Sequence, residues 1–141
     1  MREILFKAKR ICDGEWVEGY YLRDRYHIGG KDIIFYRKDS DRFTVYTDII
    51  DPETLCQFTG LYDRNGKKIW ENDIFQCADE TMVTQKDLIE YNETHASFVR
   101  LRNTKKLGLQ YLWIDEAICN HGEVIGNIFD NPELLQEESD E

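Results

Sequence analysis

Three two-residue turn signals constrain the fold of this chain more than any other feature. They are Asp13-Gly14, Gly29-Gly30 and Asn65-Gly66. Such pairs tolerate the backbone angles of tight hairpin turns, whose twist suits antiparallel strands. The runs beside them, such as Ile4 to Ala8 and Phe43 to Ile49, alternate with the period of a strand that buries one face. The sequence therefore predicts a mainly β (α+β) fold built from antiparallel hairpins.

Helix signals are few and short. Asp51-Pro52-Glu53 and Asn131-Pro132-Glu133 each place a capping residue before a proline, the pattern of a helix start. Little apolar sequence follows either signal, so both predict only short helices. Residues 109–117 fit helical spacing and strand alternation equally well, and the sequence leaves both assignments open.

The composition fits a soluble protein with one domain or two small subdomains. The chain has 141 residues, of which 41% are hydrophobic and 13% aromatic, enough for a packed interior. No apolar run reaches the roughly 20 residues of a membrane helix, and Met1-Arg2-Glu3 leads into an alternating strand instead of a signal peptide. We therefore expect a cytoplasmic location. The four cysteines form no C-x-x-C pair, so we expect reduced, small core residues.

The net charge argues against nucleic acid as the main partner. It is −10 in total, and the four acids of the tail still leave −10 + 4 = −6 for the rest of the chain when they are removed. A protein of this charge is repelled by phosphate backbones on average, so a nucleic-acid site would need a local basic patch. The tail acids are Glu137, Glu138, Asp140 and Glu141, and we expect them on frayed chain in solvent.

An acid and amide cluster lies between two closely spaced turns, and it has a structural and a metal interpretation. A calcium loop that begins at Asp63 would need an oxygen ligand at position five, glycine at six and glutamate at twelve. Those positions hold Lys67, Lys68 and Ile74, so the spacing does not fit. We therefore predict structural turn residues and no metal site. They are Asp63, Asn65, Gly66, Asn72 and Asp73.

No motif for catalysis or cofactor binding is present. The sequence has no G-x-S-x-G, no H-E-x-x-H and no glycine-rich phosphate loop. The nearest approach to a reactive pair is Cys119 with His121, but a turn beside Gly122 does not require the two side chains to share a face. We predict no catalytic residue, no cofactor and no enzymatic activity.

One stretch differs from the acidic background. Residues 98–108 contain four cations and no acid. If 97–102 is a strand, its aromatic residue and first two cations share one face, which could hold single-stranded nucleic acid by stacking and phosphate contacts. The competing interpretation is a solvated face that pairs with some of the 28 acids. The candidate partner- or nucleic-acid-binding residues are Phe98, Arg100, Arg102, Lys105 and Lys106.

The chain contains three separated motifs, "REILFKAKR...GEWVEGYYL", "TGLYDRNGKKIWENDIF" and "EVIGNIFDNPELL". In order and spacing they resemble the YopX-like proteins of bacteriophages and prophages, and the match covers nearly the whole chain. The middle motif of that family usually ends in Glu-Gly-Asp, where this chain has Glu71-Asn72-Asp73. Asparagine tolerates the left-handed conformation next best after glycine, so the turn should survive the change. The resemblance implies a small SH3-like barrel in the C-terminal half, a phage or prophage origin and a tendency to oligomerise.

These observations together predict the organisation and the role of the chain. We expect an N-terminal β-hairpin subdomain at 1–55, an SH3-like barrel subdomain with a short C-terminal helix at 56–135, and an acidic tail at 136–141. The predicted role is a non-enzymatic phage or prophage accessory protein that acts through protein–protein contacts. The three tryptophans, eight tyrosines and seven phenylalanines favour a homo-oligomer, because aromatic residues are enriched where subunits meet. Other candidate partners are a phage or host protein. A single-stranded nucleic-acid-binding module that uses residues 98–106 is the alternative.

Overall fold

The computed structural model describes residues 2–24, 30–78 and 82–136. The chain divides into two compact units, Met1–Phe58 and Thr59–Glu141, where the sequence predicted a boundary between residues 55 and 56. Two antiparallel sheets carry most of the described residues, which confirms the prediction of a mainly β fold. The part of the acidic tail from residue 137 onward lies outside the described residues, and so does Gly29 of one predicted turn.

The first unit is a run of hairpins with one short 3₁₀ turn at Pro52–Thr54. Asp51 caps this turn as predicted, because its carboxylate accepts a hydrogen bond from the Glu53 N–H at 3.0 Å. The strands that begin in this unit are β1 (Phe6–Lys9), β2 (Trp16–Asp24), β3 (Lys31–Lys38), β4 (Asp41–Ile49) and β5 (Cys56–Tyr62). With β6 (Lys68–Trp70) they form a sheet in the order β4-β3-β2-β1-β5-β6, and β5 crosses the boundary between the units.

One face of the first unit's sheet forms its core. In the antiparallel ladder, residues that lie opposite each other point to the same face, and Tyr21, Ile34 and Asp48 form one such row. The core buries small and branched side chains on this face, and larger residues such as Phe6 and Tyr36 pack around them. The buried members are Ala8, Val17, Ile34 and Ile50.

The second unit contains a five-stranded sheet in the order β10-β9-β8-β7-β11. Among the strands that the structure describes, β10 and β11 lie at opposite edges of this sheet, so the sheet is open and not the closed barrel that the resemblance implied. The core consists of Ile69, Phe75, Cys77, Ile89 and Cys119. The elements of this unit are β6 (Lys68–Trp70), β7 (Asp73–Ala78), β8 (Thr84–Asn92), β9 (Ser97–Thr104), β10 (Gly108–Leu112), α1 (Glu116–Cys119), β11 (Gly122–Asn127) and a 3₁₀ turn at Pro132–Leu135.

The structure also decides two local questions. Of the ambiguous residues 109–117, the first four belong to strand β10, the next three link the elements, and the helix α1 begins at Glu116. The C-terminal 3₁₀ turn begins with a proline as predicted, but the Asn131 side chain makes no capping hydrogen bond to it. The Asn131 amide oxygen instead accepts a bond from the Asn127 N–H at 3.3 Å. No helix among the described residues combines the length and the apolar character needed to cross a membrane.

Candidate functional site

Asp63 organises the corner between β5 and β6. Its side chain is buried, and all the hydrogen bonds that it accepts come from backbone N–H groups. Oδ1 accepts from Asn65 and Lys67 at 2.9 Å each, which closes the turn locally. Oδ2 accepts from Val124 at 2.9 Å, a residue 61 positions away on β11. Asp63 therefore joins the turn to the edge of the five-stranded sheet.

The other predicted turn residues also have backbone roles, with one difference. Gly66 and Asn72 both lie in the left-handed region, at φ +78° and +71°. Asp73 is buried, and its Oδ2 accepts a hydrogen bond from the Trp70 N–H at 2.8 Å. Asn65 differs, because its side-chain amide donates to Glu123 at 3.2 Å instead of serving the turn.

Replacing Gly66 with valine should lower the free energy of unfolding by more than about 1 kcal/mol, because a β-branched residue is strained at positive φ. An added Cβ at this position meets nothing within 4 Å, so the cost comes from the backbone and not from a clash. Gly66→Asn is the matched control, since asparagine tolerates this conformation. Urea unfolding of the three proteins measures the difference. Equal losses for valine and asparagine would contradict the backbone explanation.

The cations of β9 are buried in an ion cluster, which corrects the expectation that they share an exposed face. Asp87 precedes Leu88, which pairs with Leu101 of β9, and it is 0% exposed, while Arg100 and Arg102 are 8% and 9% exposed. Arg102 donates to the two Asp87 oxygens at 2.7 and 2.9 Å. Arg100 donates to Asp87 at 3.2 Å and to the carbonyl of Trp113 at 2.7 Å. These guanidinium groups are engaged inside the second unit.

The remaining residues of the predicted basic patch lie apart from that cluster. Phe98 is half-buried, and its ring packs edge-on against Tyr91 with the ring centroids 5.3 Å apart. Lys105 and Lys106 are exposed in the turn between β9 and β10. The five candidate residues therefore do not form one patch: two arginines are buried, one phenylalanine packs against a tyrosine, and two lysines are exposed.

The cysteines differ from the expectation at one position. Cys56, Cys77 and Cys119 are buried, but Cys12 is exposed. Burial raises the pKa of the Cys119 thiol to about 11, so this thiol is protonated at neutral pH and is a poor nucleophile. His121 is exposed in the turn after α1. No group of three His, Cys, Asp or Glu residues within 2–24, 30–78 and 82–136 has an arrangement that could hold a metal ion.

A patch that the sequence analysis missed lies at strand β10. We call it the edge patch, and it consists of Leu107, Leu109, Tyr111 and Trp113, all more than half exposed. The last three alternate along the chain and so point to one face of the sheet. The signal was present in the sequence as apolar residues at every second position, but they fitted a helix equally well.

A depression of about 140 Å³ adjoins the edge patch. Tyr111 and Trp113 border it, together with His95, Ser97 and Val99. The Ser97 hydroxyl oxygen is buried and has no hydrogen-bond partner among the described residues. Buried polar atoms in native proteins are normally satisfied by protein or by water, so this hydroxyl offers a hydrogen-bond site that a water or a second molecule can fill.

Comparison with known proteins gives the identity of the chain at the level of its family. The family model described as YopX protein matches residues 5–136. The chain belongs to the YopX family. This match includes the Asp63 corner, the buried ion cluster and the edge patch. The family also accounts for the three motifs whose resemblance was noted in the sequence.

A solved structure supports the fold of this YopX protein. Protein EF1440 from Enterococcus faecalis matches with a TM-score of 0.54 and 24% sequence identity. The match covers 96% of this chain and 99% of the other. At this identity the likeness shows the fold alone. No curated protein matches the chain.

A second apolar surface lies on the first unit of this YopX protein. The sheet face opposite the core has the rows Tyr20–Phe35 and Leu22–Ile33–Ile49. Tyr20, Leu22 and Ile49 are exposed, and the Tyr20 and Phe35 rings lie 5.6 Å apart. We call this surface the outer face. Substitutions on the outer face serve as controls for substitutions in the edge patch.

Proposed function

We propose that this YopX protein is a non-enzymatic accessory protein of a phage or prophage that acts in the host cytoplasm through protein contacts and self-association. The observation that carries the proposal is the edge patch, with Trp113 75% exposed. Apolar residues scattered singly on a surface are normal, but a contiguous exposed patch marks an interaction site. Tyrosine and tryptophan are also the residues most enriched in protein interfaces.

The engagement of the chain's polar side chains supports a non-enzymatic role. Catalytic groups need a free functional atom within reach of a substrate. Asp63 uses both carboxylate oxygens to accept backbone hydrogen bonds, and Asp87 uses both to accept bonds from two arginines. The Cys119 thiol is buried in the core. The most enclosed polar groups of the second unit therefore stabilise the protein's own structure.

The same contacts weaken the nucleic-acid alternative. Single-strand binding by residues 98–106 requires cations that can reach phosphates beside an aromatic ring that can stack on bases. Arg100 and Arg102 are buried against Asp87, and the Phe98 ring already packs edge-on against the Tyr91 ring. Two exposed lysines on a chain of charge −10 give little electrostatic attraction. Protein contact is the function that this surface supports best.

We expect light scattering at micromolar concentration to report more than one chain per particle. The physical reason is that burying the edge patch against another protein surface removes apolar area from water. The mass should be measured over a wide dilution series, because a self-association equilibrium makes it depend on concentration. A monomer mass throughout the series would contradict self-association.

A further inference from the structure

Strand β10 differs from the other three edge strands of the two sheets. An edge strand offers unpaired backbone groups to other chains, and proteins block this with short strands, bulges, charges or proline. Among the described strands, β6 has only three residues, and β4 and β11 each have a register shift of the kind a bulge produces. The β10 ladder with β9 is regular over all five residues, from Gly108 to Leu112. Its sequence, GLQYL, contains no charge and no proline.

The charges that flank β10 are arranged so that two copies of the strand are complementary. Lys105 and Lys106 precede it, and Asp115 and Glu116 follow it. Antiparallel pairing of two identical strands places the beginning of each beside the end of the other. It would therefore bring the lysines of one copy near the acids of the second. Residues 105–116 carry +2 − 2 = 0, whereas the whole chain carries −10, so this segment avoids the repulsion between two acidic molecules.

We propose that β10 pairs antiparallel with β10 of a second copy of this chain, which joins two five-stranded sheets about a two-fold axis. This inference rests on the proposed self-association and names the surface that carries it. The axis is perpendicular to the sheet, so residues that lie opposite each other must point to the same face. Only residues an even number of positions apart satisfy this, so the axis passes beside a single residue of the strand. Centring the pairing on Gln110 or Tyr111 also places Lys105 opposite Asp115 or Lys106 opposite Glu116. In both registers the two edge patches form one apolar surface.

The first test breaks the apolar surface. Leu109→Lys should raise the dimer dissociation constant at least tenfold, because it places a charge on each side of the axis within the apolar surface. The matched control is Tyr20→Lys on the outer face, which should leave the constant unchanged. Both positions are exposed, so the unfolding midpoints should match at a dilution where the wild type is also monomeric. An oligomer that persists in Leu109→Lys and dissociates in Tyr20→Lys would overturn β10 pairing and leave the proposed function standing.

The second test reports the geometry directly. In a background of Cys12→Ser, which removes the exposed thiol, a cysteine at Gln110 or Tyr111 lies opposite its own copy across the axis. Opposed strand residues have Cα separations that suit a disulfide. One of these two variants should form a covalent dimer on mild oxidation, whereas Phe43→Cys, almost fully exposed on β4, should not. Failure at both positions, or an equal yield at Phe43, would overturn the proposal.

A charge exchange completes the set of variants. Lys106→Glu should weaken the dimer several-fold, because it places acids of one copy near acids of the other. The double variant Lys106→Glu with Glu116→Lys should recover the wild-type constant, since the complementary arrangement returns with its sign reversed. Glu116 is preferred to Asp115 here because the Asp115 side chain caps α1. Additive losses in the double variant would contradict the self-complementary arrangement. A wild-type monomer would instead contradict the proposed function itself.

Discussion

Asp87→Ala should lower the free energy of unfolding by about 3–5 kcal/mol, the range found when one partner of a buried ion pair is removed. Asp87 is fully buried and accepts hydrogen bonds from both Arg100 and Arg102. Without it, the two guanidinium groups lose the buried carboxylate that accepts their hydrogen bonds. A loss of this size is a large share of the 5–15 kcal/mol that stabilises a typical domain.

Two controls separate the charge effect from a general effect of substitution. Asp39→Ala, at an exposed position, should change the unfolding free energy by less than about 0.5 kcal/mol. The triple variant Asp87→Leu, Arg100→Met and Arg102→Leu should recover most of the loss, because well-packed apolar residues can replace a buried ion cluster. Urea unfolding followed by tryptophan emission and circular dichroism gives each value. A loss below about 1 kcal/mol for Asp87→Ala would mean that the cluster contributes little.

The same cluster changes how nucleic-acid binding should be tested. A variant that reverses all four cations of residues 98–108 would disturb the fold, because glutamate at Arg100 or Arg102 would place an acid beside the buried Asp87. Only Lys105 and Lys106 can be reversed without disturbing the interior.

Asp63→Ala is expected to have the second largest effect, a loss of roughly 3 kcal/mol. Each buried N–H that loses its acceptor costs about 1–3 kcal/mol, and part of that cost is recovered where water reaches the turn. Three backbone N–H groups lose their acceptor here: those of Asn65, Lys67 and Val124. The Val124 bond matters most for the fold, because it connects the corner to β11.

Asp63→Asn is the matched variant for this prediction. Its amide oxygen, placed where Oδ1 now lies, keeps the bonds from Asn65 and Lys67, while the amide NH2 in the place of Oδ2 cannot accept from the Val124 N–H. We therefore expect a loss clearly smaller than that of alanine, measured by urea unfolding under the same conditions. Equal losses for the two variants would show that the negative charge, and not the number of accepted bonds, stabilises the corner.

Local features of this protein were predictable because their causes lie within a few residues. Asn65-Gly66 closes a turn, and Asn72 takes up a left-handed conformation, for reasons of backbone geometry alone. Gly126 lies at a register shift of the β7–β11 pairing, as expected of a glycine within a strand. Residues 109–117 resisted prediction because apolar spacing fits both periods. Pairing with β9 makes residues 108–112 a strand, a choice that depends on a distant segment.

The site was harder to predict than the fold, because a side chain's partner determines what it does. Arg100 and Arg102 occupy a strand face that the sequence correctly groups with Phe98, yet nothing in residues 98–108 indicates whether that face is covered. The partner of both arginines is Asp87, which lies on the neighbouring strand β8 and is distant from them in the sequence. The edge patch was hidden for a similar reason. Its residues look like ordinary core positions until the sheet order leaves β10 at the edge.

By itself the amino-acid sequence determined the family, the mainly β class and the positions of the tight turns, since these follow from motifs, strand period and local backbone preference. The tertiary structure decided which face of β9 is buried, that Asp63 reaches Val124, and that β10 is a regular edge with its apolar side exposed. Each of these depends on strand order and register. Those are set by the sum of many contacts between distant segments, and no short stretch of the chain contains them.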